Sequence, residues 1–114
     1  MKAIIEIAHA GAVFDAALAD LALGGNEHFV LSFESADTLF ADITPARLEL
    51  LNTLAHLGPC SIDVLIKATG RNDANALIDT LRLIELGLIA QGDDGRVRVP
   101  FETLEIRMTL ARAA

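Results

Sequence analysis

The sequence predicts an α+β fold, and three observations support this prediction. Two short runs typical of β-strands lie near the N-terminus, and a strictly alternating run lies near the C-terminus. Between them, residues 44–100 read in order as helix, turn, helix, turn, longer helix and short β-hairpin. We therefore expect a winged helix-turn-helix with an N-terminal β-α-β arm and a C-terminal strand that completes a small sheet.

The length of the chain limits how many domains it can form. At 114 residues it can bury one core but not two independent ones. We expect an acidic β-α-β arm over residues 1–43 for dimerisation or partner contact, the winged helix-turn-helix over 44–100, and a C-terminal strand and tail over 101–114. No apolar run approaches the roughly 20 residues that span a bilayer, and acidic residues come too early for a secretory signal. The prediction is a cytoplasmic protein that makes no membrane contact.

The N-terminal arm is predicted as a strand, a helix and a second strand. Residues 3–8 are β-like, and the apolar residues of segment 11–23 recur at helical spacing. A Gly-Gly-Asn sequence ends that helix, and residues 28–34 then alternate as a half-buried strand does. Residues 35–42 open with a capping serine and predict a helix of one or two turns. This helix links the arm to the next segment.

Two helices open the segment 44–100, and each has a start and a stop signal. Thr44 and Pro45 are an N-cap and a first helical residue, and Gly58 ends that helix. Ser61 caps the second helix, and Gly70 ends it. The side chains predicted to point inward are Leu48, Leu51, Leu54 and Ala55 in the first helix and Ile62, Leu65 and Ile66 in the second.

A longer helix, a hairpin and a final strand complete the prediction. The third helix is expected over Arg71–Leu88, with Gly87 at its end. Residues 88–90 and 97–99 flank a Gly-Asp-Asp-Gly turn, which predicts the hairpin called the wing. Thr103–Leu110 alternates between apolar and polar residues, so we expect a strand that pairs with the two N-terminal strands.

Charge is distributed unevenly along the chain. The net charge is −7, and residues 1–43 contribute most of it because they hold one lysine and seven acidic residues. Residues 44–100 hold six basic and seven acidic residues. Since DNA affinity depends on basic side chains that displace counterions from phosphates, this segment predicts weak binding per subunit. The acidic arm suits a basic protein partner, or it merely keeps an apolar small protein in solution.

The third helix is unusually apolar for a helix that reads DNA. At 100° per residue, its apolar side chains cover an arc of roughly 220°, about twice what a one-sided helix needs. Leu77, Ile78 and Leu81 therefore complete an enclosed core, form a protein-interaction patch, or contact thymine methyl groups. The sequence leaves these three alternatives open.

A small set of residues could contact DNA. Asn75 could bind an adenine edge, and Arg71 or Arg82 a guanine or a phosphate. Ser61 and the helix behind it could bind a phosphate, and the hairpin could reach the minor groove or the backbone. The alternative is a structural role, as helix caps, solvated polar residues or charges on a hairpin edge. The predicted DNA-binding set is Ser61, Arg71, Asn72, Asn75, Arg82, Arg96 and Arg98.

Residues 31–110 resemble the small MarR-like winged-helix proteins of bacteria and archaea, several of which are regulators or TumA-like antitoxins. The resemblance lies in LSFES at 31–35, TPARLELLNTL at 44–54, GPCSIDVLIKATGR at 58–71, LIELGLI at 83–89 and DGRVRVPFETLEI at 94–106. It implies dimerisation, binding to an operator at the toxin gene pair, and neutralisation of the toxin by direct contact. The chain departs from the family where Ala74, Leu77 and Ile78 replace lysine, histidine and arginine.

No enzyme chemistry is expected. The three histidines lie without partners at metal-ligand spacing, no nucleophile has a recognisable setting, and Cys60 lies in a turn. We therefore predict no catalytic residue, no metal and no cofactor. The expected function is a homodimeric DNA-binding transcriptional regulator, the antitoxin and autorepressor of a toxin-antitoxin pair, with operator DNA and a small basic toxin as partners. The alternative is a winged-helix protein-interaction module that has lost DNA binding and contacts its partner through Leu77, Ile78 and Leu81.

Overall fold

The computed structural model describes residues 1–7, 28–108 and 110. These residues form four helices and five strands, so the fold is α+β as predicted. They divide into two compact units, one formed by Asp42–Pro100 and the other by the described residues before and after that segment. The predicted helix over residues 11–23 lies outside the described residues.

The described helices and strands begin and end within two residues of their predicted bounds. The helices are α1 (Ala36–Asp42), α2 (Pro45–Leu57), α3 (Ile62–Thr69) and α4 (Asp73–Leu86). The strands are β1 (Lys2–Ile7), β2 (His28–Phe33), β3 (Ala90–Gln91), β4 (Val97–Arg98) and β5 (Thr103–Met108).

The first unit contains a three-stranded sheet in the order β2-β1-β5. Both neighbours run parallel to β1, and Ile5 lies opposite Leu31 on one side and Ile106 on the other. The predicted pairing of the C-terminal strand is therefore confirmed for β1, but not for β2, which lies on the other side of β1. Because β1 is central, its residues Ala3, Ile4 and Ile5 are buried.

The two faces of this sheet differ in polarity. Successive side chains of a strand point to opposite faces, so the register assigns every residue of the three strands to one face. One face is entirely apolar and holds Ala3, Ile5, Ile7, Phe29, Leu31, Phe33, Leu104, Ile106 and Met108. The opposite face is mostly polar and holds Lys2, Ile4, Glu6, His28, Val30, Ser32, Thr103, Glu105 and Arg107. Hydrogen bonds such as Ser32 Oγ to Glu6 at 3.1 Å connect neighbouring strands on this polar face.

Helices α2 and α3 of the second unit begin and end at the residues that the sequence predicted. The Thr44 hydroxyl accepts a hydrogen bond from Arg47 N–H at 3.2 Å, and the Ser61 hydroxyl accepts one from Val64 N–H at 3.2 Å. Gly70 ends α3 in the left-handed conformation, with φ of 65°. A side chain would be strained there, and glycine is not.

Two details of the helix predictions were wrong. Ala55 was expected to point inward, but it is exposed, and Leu50 is buried with Leu51 and Leu54. The third helix was expected to begin at Arg71, but α4 begins two residues later. The Asn72 carboxamide accepts a hydrogen bond from Asn75 N–H at 3.2 Å, and this N-cap defines the start of the helix.

The hairpin of β3 and β4 is antiparallel, with Ala90 opposite Arg98. Gly92 N–H donates to the Arg96 carbonyl at 2.9 Å and closes the turn. Cys60, in the turn between α2 and α3, exchanges two backbone hydrogen bonds with Val97, at 3.1 and 2.8 Å. The hairpin is therefore tied to the turn that precedes α3.

Candidate nucleic-acid and partner interface

Five charged side chains of the unit Asp42–Pro100 form a continuous series of ion pairs, which we call the ion-pair chain. Arg71 Nη2 lies 2.6 Å from Asp79 Oδ2, and Arg47 Nε lies 2.8 Å from Asp79 Oδ1. Arg47 Nη1 also lies 3.5 Å from Asp42 Oδ1, and Arg82 Nη2 lies 2.7 Å from Asp42 Oδ2. The chain joins the end of α1, the start of α2, the α3–α4 turn and α4.

The two carboxylates in the ion-pair chain are held in their charged form. The hydrogen bond from Arg82 lowers the pKa of Asp42 more than burial raises it. Burial alone would raise the pKa of Asp79, but hydrogen bonds from Arg47 and Arg71 outweigh it and lower the pKa. The same pairing raises the pKa of Arg82. Each carboxylate therefore offsets positive charge on the arginines that would otherwise attract phosphate.

Arg71 and Arg82 were predicted to contact DNA, and the structure places both in the ion-pair chain. Arg82 donates from Nε and Nη2 to the two oxygens of Asp42, at 2.8 and 2.7 Å, and from Nη1 to Glu85 at 3.2 Å. Arg71 Nη1 is buried and has no hydrogen-bond partner within the described part of the chain. Either arginine would have to exchange a protein carboxylate for phosphate or guanine in order to bind DNA.

Ser61, Asn72 and Asn75 lie at helix N-termini. Ser61 and Asn72 act as N-caps of α3 and α4, as described above, and Asn75 lies in the first turn of α4. All three residues are exposed. As an N-cap, the Ser61 hydroxyl accepts a hydrogen bond, and its own proton remains available to another partner.

Part of the exposed face of α4 is apolar. Ala76, Thr80 and Leu83 are its buried residues. A set of three large side chains, which we call the α4 patch, remains 39, 58 and 47% exposed, and its members are Leu77, Ile78 and Leu81. Among the described residues, these side chains therefore do not complete an enclosed core, which is one of the alternatives that the sequence left open.

A shallow cleft lies between α3 and α4, beside the α4 patch. Its volume is about 320 Å³. The residues that line it are Asp63, Ile66, Lys67, Asp73, Ala74 and Leu77. One lysine and two aspartates contribute charge to this lining, so the cleft does not concentrate positive charge.

The hairpin carries the predicted arginines that are not in the ion-pair chain. Arg96 and Arg98 are exposed, on the turn and on β4. Arg96 N–H donates to the Asp94 carboxylate at 3.0 Å, which orders the turn without occupying the guanidinium. Their exposed charges could contact a phosphate without first breaking an ion pair.

Comparison with known proteins identifies one family. Residues 42–106, more than half of the chain, match the HVO_A0114 family. The chain belongs to the HVO_A0114 family. No curated protein and no solved structure matches this chain.

The HVO_A0114 match covers the second compact unit and most of β5. It therefore includes the whole ion-pair chain, of which the sequence had indicated only Arg71 and Arg82 as functional candidates. The sequence did not indicate Asp79 and Asp42, which are their carboxylate partners, or Arg47, which contacts both carboxylates. The short spacing from Arg71 to Asp79 could have suggested one pair, but Asp42 and Arg82 are 40 residues apart and no local pattern connects them.

The described residues of this HVO_A0114 family member lack two features, a metal-binding cluster and a membrane-spanning helix. No group of three or more histidine, cysteine, aspartate or glutamate side chains among them is placed to hold a metal ion. None of their helices combines the length and the apolar character that a membrane crossing requires.

Proposed function

We propose that the protein is a winged-helix DNA-binding transcriptional regulator. The observation that carries the proposal is the order of elements in Asp42–Pro100. Helix α2, a short extended segment at Cys60, helices α3 and α4, and the β3–β4 hairpin follow one another, and Cys60 pairs with the second hairpin strand. A winged helix has this order, with a short strand after its first helix that pairs with the wing.

In this proposal α4 is the recognition helix and the hairpin is the wing. Asn75 lies in the first turn of α4, where recognition helices contact base edges, and its carboxamide suits the N6 and N7 groups of adenine. Arg96 and Arg98 contact the DNA backbone or the minor groove. The N-terminus of α3 with its Ser61 cap binds a phosphate.

The electrostatics predict weak binding by one subunit. The ion-pair chain offsets the charges of Arg71 and Arg82, which leaves few basic side chains for phosphate contacts. Non-specific affinity depends on the number of phosphates neutralised, so a regulator of this kind needs two copies on two half-sites. We therefore propose that the protein binds its operator as a homodimer.

We also propose that the protein acts as an antitoxin. The support for this role is the resemblance of residues 31–110 to TumA-like antitoxins. The acidic residues of segment 1–43 suit a small basic toxin, because opposite charges speed association and favour the correct partner. As antitoxin and autorepressor, the protein would bind both its toxin and the operator upstream of the gene pair. It would carry out no catalysis in either role.

Fluorescence anisotropy with a labelled duplex from the region upstream of the gene tests DNA binding. Affinity should fall as salt rises, with a log–log slope of about −0.9 for each phosphate contacted. Arg98→Ala should make the slope shallower by about one contact. Lys2→Ala, which removes one positive charge from the other unit, should leave the slope unchanged. An absence of salt-dependent binding at low ionic strength would contradict the proposal.

The exposed α4 patch favours a second candidate function, a protein-interaction module that has lost DNA binding. Large apolar side chains grouped on one exposed face are typical of protein contacts. Leu81→Asp tests this candidate by co-purification with the product of the neighbouring gene. Loss of that complex, together with no DNA binding by the unmodified protein, would favour the second function over the first.

A further inference from the structure

Strand β5 has a free edge within the described part of the chain. It pairs with β1 along its full length, from Thr103 opposite Lys2 to Met108 opposite Ile7. Among the described residues, no strand pairs with its other edge. An unpaired strand edge presents backbone donors and acceptors in a row, and another strand can satisfy them.

The side chains of β5 alternate strictly between the two faces of the sheet. Leu104, Ile106 and Met108 lie on the apolar face, and Ile106 and Met108 are 43 and 56% exposed. Glu105 and Arg107 lie on the polar face. A strand that joins this edge must match apolar residues on one face and opposite charges on the other.

We propose that the β5 edge pairs with the β5 edge of a second copy of this chain, antiparallel, across a two-fold axis at Ile106. In this register Ile106 faces Ile106 of the second copy, and Leu104 faces Met108. Glu105 faces Arg107 of the second copy, and the symmetry repeats that pair. The described strands of the two sheets, three from each copy, then form one continuous sheet, and the same surface of each subunit makes the contact.

Other two-fold registers of β5 are unfavourable. A shift of one residue places the apolar face of one strand on the polar face of the other, because side chains alternate with a period of two. An axis at Glu105 sets two glutamates directly opposite each other, and an axis at Arg107 sets two arginines opposite each other. Like charges in directly opposed positions destabilise a sheet. Axes at Thr103, Leu104 or Met108 pair at most three residues of the strand. The axis at Ile106 pairs five, from Leu104 to Met108, and matches both faces.

The charges that would cross this interface are present and accessible. Within one chain, Glu105 lies 2.6 Å from Arg107 and 3.0 Å from Lys2, and these hydrogen bonds lower the pKa of Glu105. Both Glu105 and Arg107 remain partly exposed, so each can also contact a residue of the second copy. The proposal does not depend on DNA binding, although it would supply the two copies that an operator with two half-sites requires.

Charge reversal with mixing tests the register. Glu105→Arg alone puts arginine against arginine across the axis, and Arg107→Glu alone puts glutamate against glutamate. An equimolar mixture of the two variants restores both opposite-charge pairs, but only between unlike chains. Native mass spectrometry of the full chain should show dimers for the unmodified protein, mostly monomers for each variant, and heterodimers for the mixture. Circular dichroism checks that each variant is folded.

Three results would overturn the proposal. The unmodified protein could be monomeric, either variant could dimerise as well as the unmodified protein, or the mixture could form no heterodimer. The last result separates the proposed contact from the pairing within one chain, since the intrachain pair of Glu105 and Arg107 cannot respond to mixing.

A cysteine at the axis gives an independent test that does not alter charge. In a Cys60→Ser background, Ile106→Cys places two thiols across the axis, where opposed Cα atoms are about 4.5–5.5 Å apart and a disulfide can form. Thr103→Cys is the matched control, because six residues of strand, about 20 Å, separate the two copies of position 103. Oxidation should cross-link the first variant and not the second. Equal cross-linking of both would overturn the register.

Discussion

The Arg82 guanidinium donates two parallel hydrogen bonds to the Asp42 carboxylate, from Nε at 2.8 Å and from Nη2 at 2.7 Å. A guanidinium and a carboxylate fit each other in this two-point geometry, which adds directional specificity to their attraction. The pair joins the end of α1 to the middle of α4. It also occupies a basic side chain on the helix that we propose to read DNA.

Releasing Arg82 should strengthen DNA binding. Asp42→Asn removes the carboxylate charge and frees Arg82 for a phosphate, which should tighten binding. As one added phosphate contact requires, affinity should then fall about threefold more between 50 and 200 mM salt than in the unmodified protein. The substitution should also lower the melting temperature. Glu85→Gln is the control, because Glu85 is exposed and contacts Arg82 by one hydrogen bond of 3.2 Å. Anisotropy titrations would contradict this prediction if Asp42→Asn binds DNA more weakly while still folded.

Acid should destabilise the unit Asp42–Pro100 through Asp42 and Asp79. Both carboxyls have a pKa below the ordinary value of 3.8 in the folded protein, so the unfolded state takes up protons first as pH falls. Their stabilising effect is therefore complete above about pH 4 and is lost as pH falls through the lowered pKa values. Thermal unfolding followed by circular dichroism from neutral pH to about pH 2 measures the loss.

A substitution in the ion-pair chain should reduce that pH dependence. Asp79→Asn keeps the shape of a side chain that is 14% exposed but removes the charge between Arg47 and Arg71. We expect a cost of about 1–3 kcal/mol at neutral pH, and a smaller further loss in acid than in the unmodified protein. Asp93→Asn, on the exposed hairpin turn, should change neither quantity. An unchanged acid profile in Asp79→Asn would exclude Asp79 as a source of the pH dependence.

The capping and phosphate-binding roles of Ser61 can be separated by one substitution. Aspartate is as good an N-cap as serine, so Ser61→Asp should keep the unfolding free energy within about 0.5 kcal/mol. Its negative charge would repel a phosphate, so DNA affinity should fall. Ser61→Ala should instead cost about 1 kcal/mol of stability through loss of the cap. Unchanged DNA affinity in folded Ser61→Asp would argue against a phosphate at this helix end.

Two apolar residues of α4 should differ sharply in their contribution to stability. Leu83→Ala opens a cavity in the core and should cost about 2–5 kcal/mol, whereas Ile78→Ala, on the exposed face, should change the unfolding free energy by less than about 0.5 kcal/mol. Urea denaturation of the two variants measures both values. If Ile78→Ala instead lowers the unfolding free energy strongly, and the difference from the unmodified protein grows as protein concentration is raised, Ile78 lies in a subunit contact.

The sequence alone predicted most helix ends correctly because their signals are local. The hydroxyls of Thr44 and Ser61 accept hydrogen bonds from N–H groups that lie only three residues further along the chain. Gly70 and Gly87 supply the left-handed conformation that ends a helix. Strand alternation near the C-terminus is also local, and it indicated β5 and its apolar face.

Tertiary structure decided the partners. The sequence identified Arg71 and Arg82 as basic residues of a reading helix, but their carboxylate partners, Asp79 and Asp42, depend on how the unit Asp42–Pro100 packs. The excess of apolar residues on α4 was visible in the sequence, whereas their exposure became clear only when Ala76, Thr80 and Leu83 filled the buried side. Periodicity along one helix reports which residues share a face, and only the packing of other helices against it determines which face is covered.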